Sequence, residues 1–157
     1  STRTPATLAL TRQNLPTLRT AHSAENLSAR GAYELEAASG EAKVSIFATG
    51  SEVEIAVAAR AELEKKGIPA RVVSVPSFEL LRAQDDAYRA SVLGSAPVSI
   101  AVEAGIRQGW DEIVGSDGLF VGMSGFGASG PIDDLYKHFG ITAEAVVAAV
   151  EAKLAKG

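Results

Sequence analysis

Short apolar runs alternate with amphipathic segments along most of this chain. Four runs, VSIFA, ARVVSV, VSIAVE and LFVGM, begin at Val44, Ala70, Val98 and Leu119 and predict strands. Helical periodicity or capping signals predict helices over residues 51–66, 78–82, 85–93, 110–114, 132–138 and 143–155. Because strands that alternate with helices favour parallel crossovers, we predict an α/β fold: a three-layer α/β/α sandwich around one mixed, mostly parallel sheet of about five strands.

The first strand of this sheet has a different pattern. Apolar residues and glutamates alternate over residues 33–37, as in a half-buried strand at a sheet edge. Ser39 and Gly40 form a tight-turn dipeptide before the run VSIFA. We therefore expect this strand to be antiparallel and to form a hairpin with the next one.

The stretch LALTRQNLP, residues 8–16, combines a short apolar strand pattern with polar residues that follow it. Leu8 to Thr11 predicts the strand, which Pro16 ends, and Arg12 then lies at its C-terminal end. A guanidinium there suits a phosphate or a carboxylate ligand, although pairing with a nearby surface carboxylate is the alternative. Residues 17–31 are small and polar and predict a linker with one helical turn. The opening strand would lack its sheet, so we expect the chain to be a piece of a longer protein.

Several helix boundaries carry specific signals. Ser77, Asp85 and Thr142 are candidate N-caps, and Gly140 is a candidate left-handed exit. Asp86 follows Asp85 in the first turn, where both suit the helix dipole better than an acid–base pair.

The junction ATGSEVE predicts a capped helix start. Ser51 and Glu54 have the spacing of a capping box, and Gly50 would make the turn. The free N–H groups of Gly50 and Ser51 could instead attract an anion, but the glycine spacing of dinucleotide and P-loop motifs is missing.

Other candidate residues have structural alternatives. Glu103 ends a predicted strand and is either catalytic or holds a loop by accepting backbone N–H bonds. Trp110 is expected to pack its helix onto the sheet with its N–H near solvent. His22 is expected to be a solvated linker residue, and His138 to lie at a helix end.

Composition excludes some classes of function. A net charge of −4 and a pI near 5.2 argue against a nucleic-acid partner. The chain has no cysteine, so it has no disulfide or thiolate chemistry, and no apolar run approaches the ~18 residues of a membrane span.

Seven segments of the chain resemble the C-terminal part of transketolases and follow one another in the family's order. They are LALTRQNLP, ARGAYEL, ATGSEVEIAVAA, ARVVSVPSFELL, QDDAYRASVL, IAVEAGIRQGW and FGASGPIDDLYKHFGIT, and they cover nearly the whole chain. The resemblance implies three parts. Residues 1–16 would be the terminal strand and substrate-side loop of a pyrimidine-binding domain, residues 17–31 an interdomain linker, and residues 32–157 a transketolase C-terminal α/β domain.

The resemblance also implies a function for the parent protein. Transketolases transfer a two-carbon ketol unit between ketose and aldose phosphates in the pentose phosphate pathway, as cytoplasmic homodimers that use thiamine diphosphate and a divalent metal, Mg or Ca. In the family, the arginine of the TRQN-like segment binds the phosphate of the sugar substrate. In this chain, that arginine corresponds to Arg12. Thr11 stands where serine is commoner and keeps the hydroxyl. The family's metal ligands, cofactor-activating glutamate and catalytic histidines lie upstream, so none maps onto this chain, and the chain alone is expected to be inactive and to help pack the dimer.

Two other functions stay open at this point. The domain could be a regulatory module that binds a nucleotide or phosphate ester at Gly50–Ser51 or at Ser129–Gly130, or it could be a purely structural dimerisation domain. An acyl-transferring or decarboxylating thiamine enzyme would share the fold, but the TRQNLP segment argues against it.

Overall fold

The computed structural model describes residues 5–156, which contain a five-stranded sheet flanked by helices. Residues 1–4, at the start of the predicted opening segment, and Gly157 lie outside the described residues. The strands are β1 (Tyr33–Glu36), β2 (Val44–Ala48), β3 (Ala70–Ser74), β4 (Val98–Val102) and β5 (Leu119–Val121). The α-helices are α1 (Val53–Lys65), α2 (Phe78–Arg82), α3 (Asp86–Leu93), α4 (Asp111–Val114), α5 (Ile132–Phe139) and α6 (Ala143–Leu154). From β1 onward, the predicted order of elements is confirmed.

Strand β2 lies at the centre of the sheet, whose strand order is β1-β3-β2-β4-β5. It pairs in parallel with β3 on one side and with β4 on the other, so that Ile46 lies opposite both Val72 and Ile100. Strand β5 is parallel to β4 at one edge, and β1 is antiparallel to β3 at the other. The predicted mixed sheet with an antiparallel first strand is therefore confirmed.

The predicted hairpin between the first two strands is wrong. Strand β1 pairs with β3, and Tyr33 lies opposite Ser74. Strand β2 cannot accept β1, because both of its edges are already occupied by parallel strands. Alternation of apolar and polar residues marks an edge strand, but it does not encode which strand lies beside it.

Helices cover both faces of the sheet. One face presents the fully buried residues Ile46 and Val72 to α1 and α6. The other face presents Phe47 and Val73 to α2, α3 and α4. Strands that are buried on both faces have continuous apolar sequences, as the runs VSIFA and ARVVSV do. The three-layer sandwich is confirmed.

Most predicted helix boundaries are also confirmed. The side chains of Ser77, Asp85 and Thr142 each accept a hydrogen bond from the backbone N–H three residues later. Gly140 ends α5 in the left-handed conformation, with φ of +68°. These signals depend on a few neighbouring residues, so they can be recognised in the sequence alone.

The cap predicted at Ser51 is wrong. A short 3-10 turn over Gly50–Glu52 precedes α1, and the extended residue at this boundary is Thr49. A side-chain N-cap needs an extended backbone at the capping residue, whereas Glu52, which directly precedes α1, is already helical. The Ser51 hydroxyl donates instead to the Glu52 carboxylate, at 2.8 Å.

The strand predicted over Leu8 to Thr11 does not form. Residues 5–26 contain no strand and no helix, and Leu8 and Leu10 are 81% and 80% exposed. A strand is stabilised by its neighbours, and no other strand of the described chain reaches this segment. The predicted helical turn of the linker is present as a 3-10 turn over Leu27–Arg30. The division into parts at residues 16 and 31 stays a prediction.

Candidate functional site

Arg12 lies in a bend of the segment that precedes the folded body. Thr11 Oγ1 accepts a hydrogen bond from the backbone N–H of Gln13 at 3.2 Å, which closes the bend around Arg12. Threonine and serine hydroxyls commonly stabilise turns in this way. The hydroxyl at position 11 therefore shapes the segment that presents Arg12.

Arg12 lines an open depression of about 390 Å³. The other lining residues are Thr11 and Gln13 from the same bend, together with Gly130 and Ile132 from the loop that leads into α5. Arg12 is exposed, and its guanidinium forms no ion pair with any residue between 5 and 156. The surface ion pair that was the alternative role of Arg12 is therefore missing between residues 5 and 156. The N–H donors of the Arg12 guanidinium are available to a phosphate or a carboxylate.

A buried polar network joins the turn before α1 to α5. Glu52, from that turn, is only 6% exposed. Its carboxylate accepts hydrogen bonds from Ser51 Oγ at 2.8 Å and from the Tyr136 hydroxyl of α5. The start of α1 is therefore connected to α5 through Glu52.

Tyr136 stays protonated at neutral pH. Its burial raises its pKa most strongly, and the hydrogen bond to the Glu52 carboxylate raises it further. The side chains of Ser51 and Gln13 lower the same pKa. The Tyr136 hydroxyl donates its hydrogen to the Glu52 carboxylate.

The anion site predicted at Gly50 and Ser51 has a carboxylate within it. Gly50 makes the predicted turn, with φ of +56°, but Ser51 Oγ already donates to Glu52. A negative charge 2.8 Å from the Ser51 hydroxyl repels a phosphate bound at that hydroxyl. The anion site stays a prediction, and the position of Glu52 weighs against it.

Glu103 has a structural contact at the C-terminal end of β4. It accepts a hydrogen bond from the indole N–H of Trp110, and Trp110 is completely buried. The expectation that this N–H lies near solvent is therefore wrong, since a buried indole needs an internal acceptor and Glu103 supplies it. This contact favours the role of Glu103 in holding a loop. The donor is the side-chain N–H of Trp110 instead of the expected backbone N–H groups.

Both histidines lie on the surface of the described chain. His22 is an exposed residue of the linker, and His138 lies exposed in the last turn of α5, edge-on to the Phe139 ring. Between residues 5 and 156, no group of three or more His, Cys, Asp or Glu side chains could hold a metal ion. None of the helices in this range has the length and apolarity needed to cross a bilayer.

Sequence reasoning missed Glu52 and Tyr136. One signal was available for Glu52, because it precedes the buried residues Ala56, Ala59 and Leu63 at helical spacing. A carboxylate on such an apolar stripe must find polar partners. No comparable signal exists for Tyr136, because its partner Glu52 lies 84 positions earlier in the chain.

The fold and this site together define a three-layer α/β domain with an arginine-bearing segment at its amino-terminal side. Residues 31–142 match the family model described as the transketolase-like TK C-terminal domain. The chain therefore belongs to the transketolase family, as a C-terminal domain of that type.

Known relatives agree with this assignment. A transketolase from Rhodobacter capsulatus is 54% identical over 98% of this chain and 24% of its own length. A solved transketolase from Leishmania mexicana is 42% identical, with a TM-score of 0.73 over 80% of this chain and 18% of its own. A Pichia stipitis transketolase, solved in complex with sedoheptulose 7-phosphate, is 34% identical, with a TM-score of 0.75 over 82% of this chain and 18% of its own. The chain spans less than a quarter of the length of the curated relatives it matches.

Proposed function

We propose that this chain acts as the C-terminal part of a transketolase that transfers a two-carbon ketol unit between ketose and aldose phosphates. Arg12 binds the phosphate of the sugar substrate in this proposal. The observation that carries it is the exposed Arg12 guanidinium, which is unpaired within residues 5–156 at the edge of an open depression. A planar guanidinium binds phosphate through two parallel N–H donors. The sugar phosphate bound by the Pichia stipitis relative supports the substrate class.

The cofactors are assigned to other parts of the complete enzyme. Thiamine diphosphate would supply the carbanion chemistry, with a divalent metal to hold its pyrophosphate. The metal is assigned to those other parts because no group of three or more His, Cys, Asp or Glu side chains between residues 5 and 156 could hold it. The buried carboxylate of Glu52 is already hydrogen-bonded to two hydroxyls. The chain's own contribution is therefore to present Arg12 and to pack against the remaining domains and the second subunit of a homodimer.

The Arg12 role is tested by kinetics of the complete enzyme with Arg12→Ala. We expect the KM for a phosphorylated ketose to rise by about 10- to 100-fold, because charge-assisted hydrogen bonds are worth roughly 1.5–3 kcal/mol. The KM for an unphosphorylated ketose should stay the same. Arg19→Ala is the matched control, since Arg19 is also exposed and lies over the Tyr33 ring, at 5.8 Å from its centre. Equal losses with both substrates would contradict the proposal.

The isolated chain provides a test of the regulatory alternative. A thermal-shift titration would compare thiamine diphosphate with magnesium, sugar phosphates, inorganic phosphate and ATP. A ligand at about 100 times its dissociation constant stabilises by roughly 2.7 kcal/mol, which is readily visible. We expect no shift with any of them. A saturable shift with ATP that is lost in Ser51→Glu and kept in Arg12→Ala would favour a regulatory module.

A further inference from the structure

A fully exposed phenylalanine lies in the loop between β5 and α5. Phe126 is 100% exposed, and its neighbours in the stretch SGFGASG are glycine, serine and alanine, which are too small to cover its ring. A single exposed apolar side chain is common on protein surfaces, whereas several at one place mark an interaction surface. The meaning of Phe126 therefore depends on the residues around its loop.

Two more exposed apolar residues border this loop. Ile106 is 54% exposed and follows β4, in a stretch that is joined to the Phe126 loop by a hydrogen bond from the Met123 N–H to the Gly105 oxygen, at 2.8 Å. Ile132 is 36% exposed and begins α5, directly after the loop. Together, Ile106, Phe126 and Ile132 form an apolar patch.

A small recess opens beside the apolar patch. Its volume is about 150 Å³, and Ala104, Ile132 and Leu135 line it together with Gly127 of the Phe126 loop. The recess is smaller than the roughly 300–1,000 Å³ of typical ligand pockets. Packed protein interfaces combine projections such as an aromatic ring with recesses that receive side chains of the partner. The patch therefore has the form of an interface with another protein surface.

The apolar patch is continuous with the depression that Arg12 lines. Ile132 lines both this depression and the recess, and Gly130, from the loop before α5, also lines the depression. On the other side of Arg12, Leu8 and Leu10 lie at alternate positions of the amino-terminal arm and are 81% and 80% exposed. Exposed apolar side chains therefore lie on both sides of the proposed phosphate-binding residue.

The part of the parent enzyme that precedes this chain is the partner that fits the patch. The chain spans 24% of the Rhodobacter capsulatus transketolase and matches a C-terminal-domain model, so the proposed parent has a large preceding part. That part connects to the chain through the arm, where Pro5 lies at most about 25 Å from Arg12, the reach of seven residues (12 minus 5). A short tether gives an effective concentration in the millimolar range, and a second subunit has no such tether.

We propose that the apolar patch is the surface against which the preceding domain of the same transketolase chain packs. The inference rests on the proposed function, because its partner is a part of the proposed parent enzyme. Packing at the patch covers the Phe126 ring and holds the preceding domain beside the Arg12 depression, where the sugar phosphate binds in that proposal.

The test replaces Phe126 by the photoreactive residue p-benzoylphenylalanine in the complete enzyme. On irradiation, we expect position 126 to cross-link to a peptide of the part that precedes this chain, within one polypeptide. The product then keeps the mass of a single chain, and mass spectrometry identifies the cross-linked peptide. The same replacement at Leu80 is the matched control. Leu80 is 39% exposed on α2, which covers the face of the sheet opposite to α5, and it should not give this product.

Two other results would overturn the proposal. A cross-linked product with twice the mass of one chain would assign the patch to the second subunit. A cross-link no stronger than that of the Leu80 control would show that the patch stays in water in the complete enzyme.

Hydrogen–deuterium exchange measures the same contact without a photoreactive residue. Backbone amides of residues 124–129 should exchange at least about 10-fold more slowly in the complete enzyme than in the isolated chain. Phe126→Ser should restore fast exchange in the complete enzyme and leave the isolated chain unchanged, because the ring is fully exposed there. Leu80→Ser should change neither. Equal exchange in the complete enzyme and in the isolated chain would contradict the packing.

The kinetics of Arg12→Ala separate this proposal from that of the phosphate site. A cross-link to the preceding domain, in an enzyme whose Arg12→Ala variant loses activity equally with both substrates, would support the packing and reject only the phosphate role of Arg12. A loss confined to phosphorylated substrates in Arg12→Ala, without the cross-link, would reject only the packing at the apolar patch.

Discussion

The segment that carries Arg12 and the sheet beside it are held by different forces. In the sheet, β2 and β3 consist entirely of buried residues, and helices cover both faces. In the segment, Leu8 and Leu10 are about four-fifths exposed, and the bend is closed by a polar contact, the hydrogen bond from the Gln13 N–H to Thr11 Oγ1. The proposed chemistry thus lies on the part of the chain with the least apolar burial. Substitutions in the two regions should therefore affect different properties.

The largest effect on stability is expected from Trp110→Ala. Trp110 is fully buried, packs edge-on against Phe78 with ring centres 5.0 Å apart, and donates to Glu103. Its loss should reduce the free energy of unfolding by about 3–5 kcal/mol. Leu10→Ala in the exposed segment should change it by less than about 0.5 kcal/mol. Urea unfolding of the isolated chain measures the free energy of unfolding of both variants. Similar losses in the two variants would contradict the proposed difference between the two regions.

A smaller loss of stability is expected from Gly31→Ala, at the boundary between the two regions. Gly31 has φ of +88°, and a β-carbon there would lie 2.1 Å from the backbone nitrogen of Leu81. The left-handed backbone and the clash together should cost about 2–4 kcal/mol. Gly40→Ala is the control, because a β-carbon at Gly40 meets nothing within 4 Å. Thermal unfolding of both variants checks the expectation, and a stable Gly31→Ala protein would show that this boundary can move.

The smallest effect depends on pH and concerns Glu64 in α1. Hydrogen bonds from the Ser39 side chain, above all, and from the backbone N–H groups of Ala70 and Ser39 hold the pKa of this carboxyl below its ordinary value. A lowered folded-state pKa gives stability that is present above the ordinary glutamate pKa of about 4.3 and is lost as the pH falls through the folded value.

Glu64→Gln should accordingly lower Tm at pH 7 and have little effect near pH 3. Glu62→Gln is the control, because among residues 5–156 Glu62 forms one ion pair, with the exposed Lys65 at 2.7 Å. Melting curves from pH 3 to pH 7 make the comparison. An equal Tm difference between Glu64→Gln and the parent chain at every pH would contradict the assignment.

The same difference between regions explains what the sequence could predict. Apolar runs and helix caps such as Ser77 and Thr142 were predicted because each depends on neighbouring residues and on burial. The partner of β1 was not predicted, because pairing is chosen among distant strands. At the site, Arg12 could be proposed from its resemblance to a known segment, whereas the contact between Glu52 and Tyr136 has no local signal in either stretch of sequence.

The contact between Glu52 and Tyr136 also has a consequence for the order of events during synthesis. The two residues are separated by 84 positions, so Glu52 is made long before its partner exists. At about 5–20 residues per second, that interval is roughly 4–17 seconds. Strand β1 also waits, since its partner β3 begins at Ala70, 34 residues after β1 ends at Glu36 (70 minus 36). The turn before α1 is therefore made early in this domain and completes its buried polar contacts late.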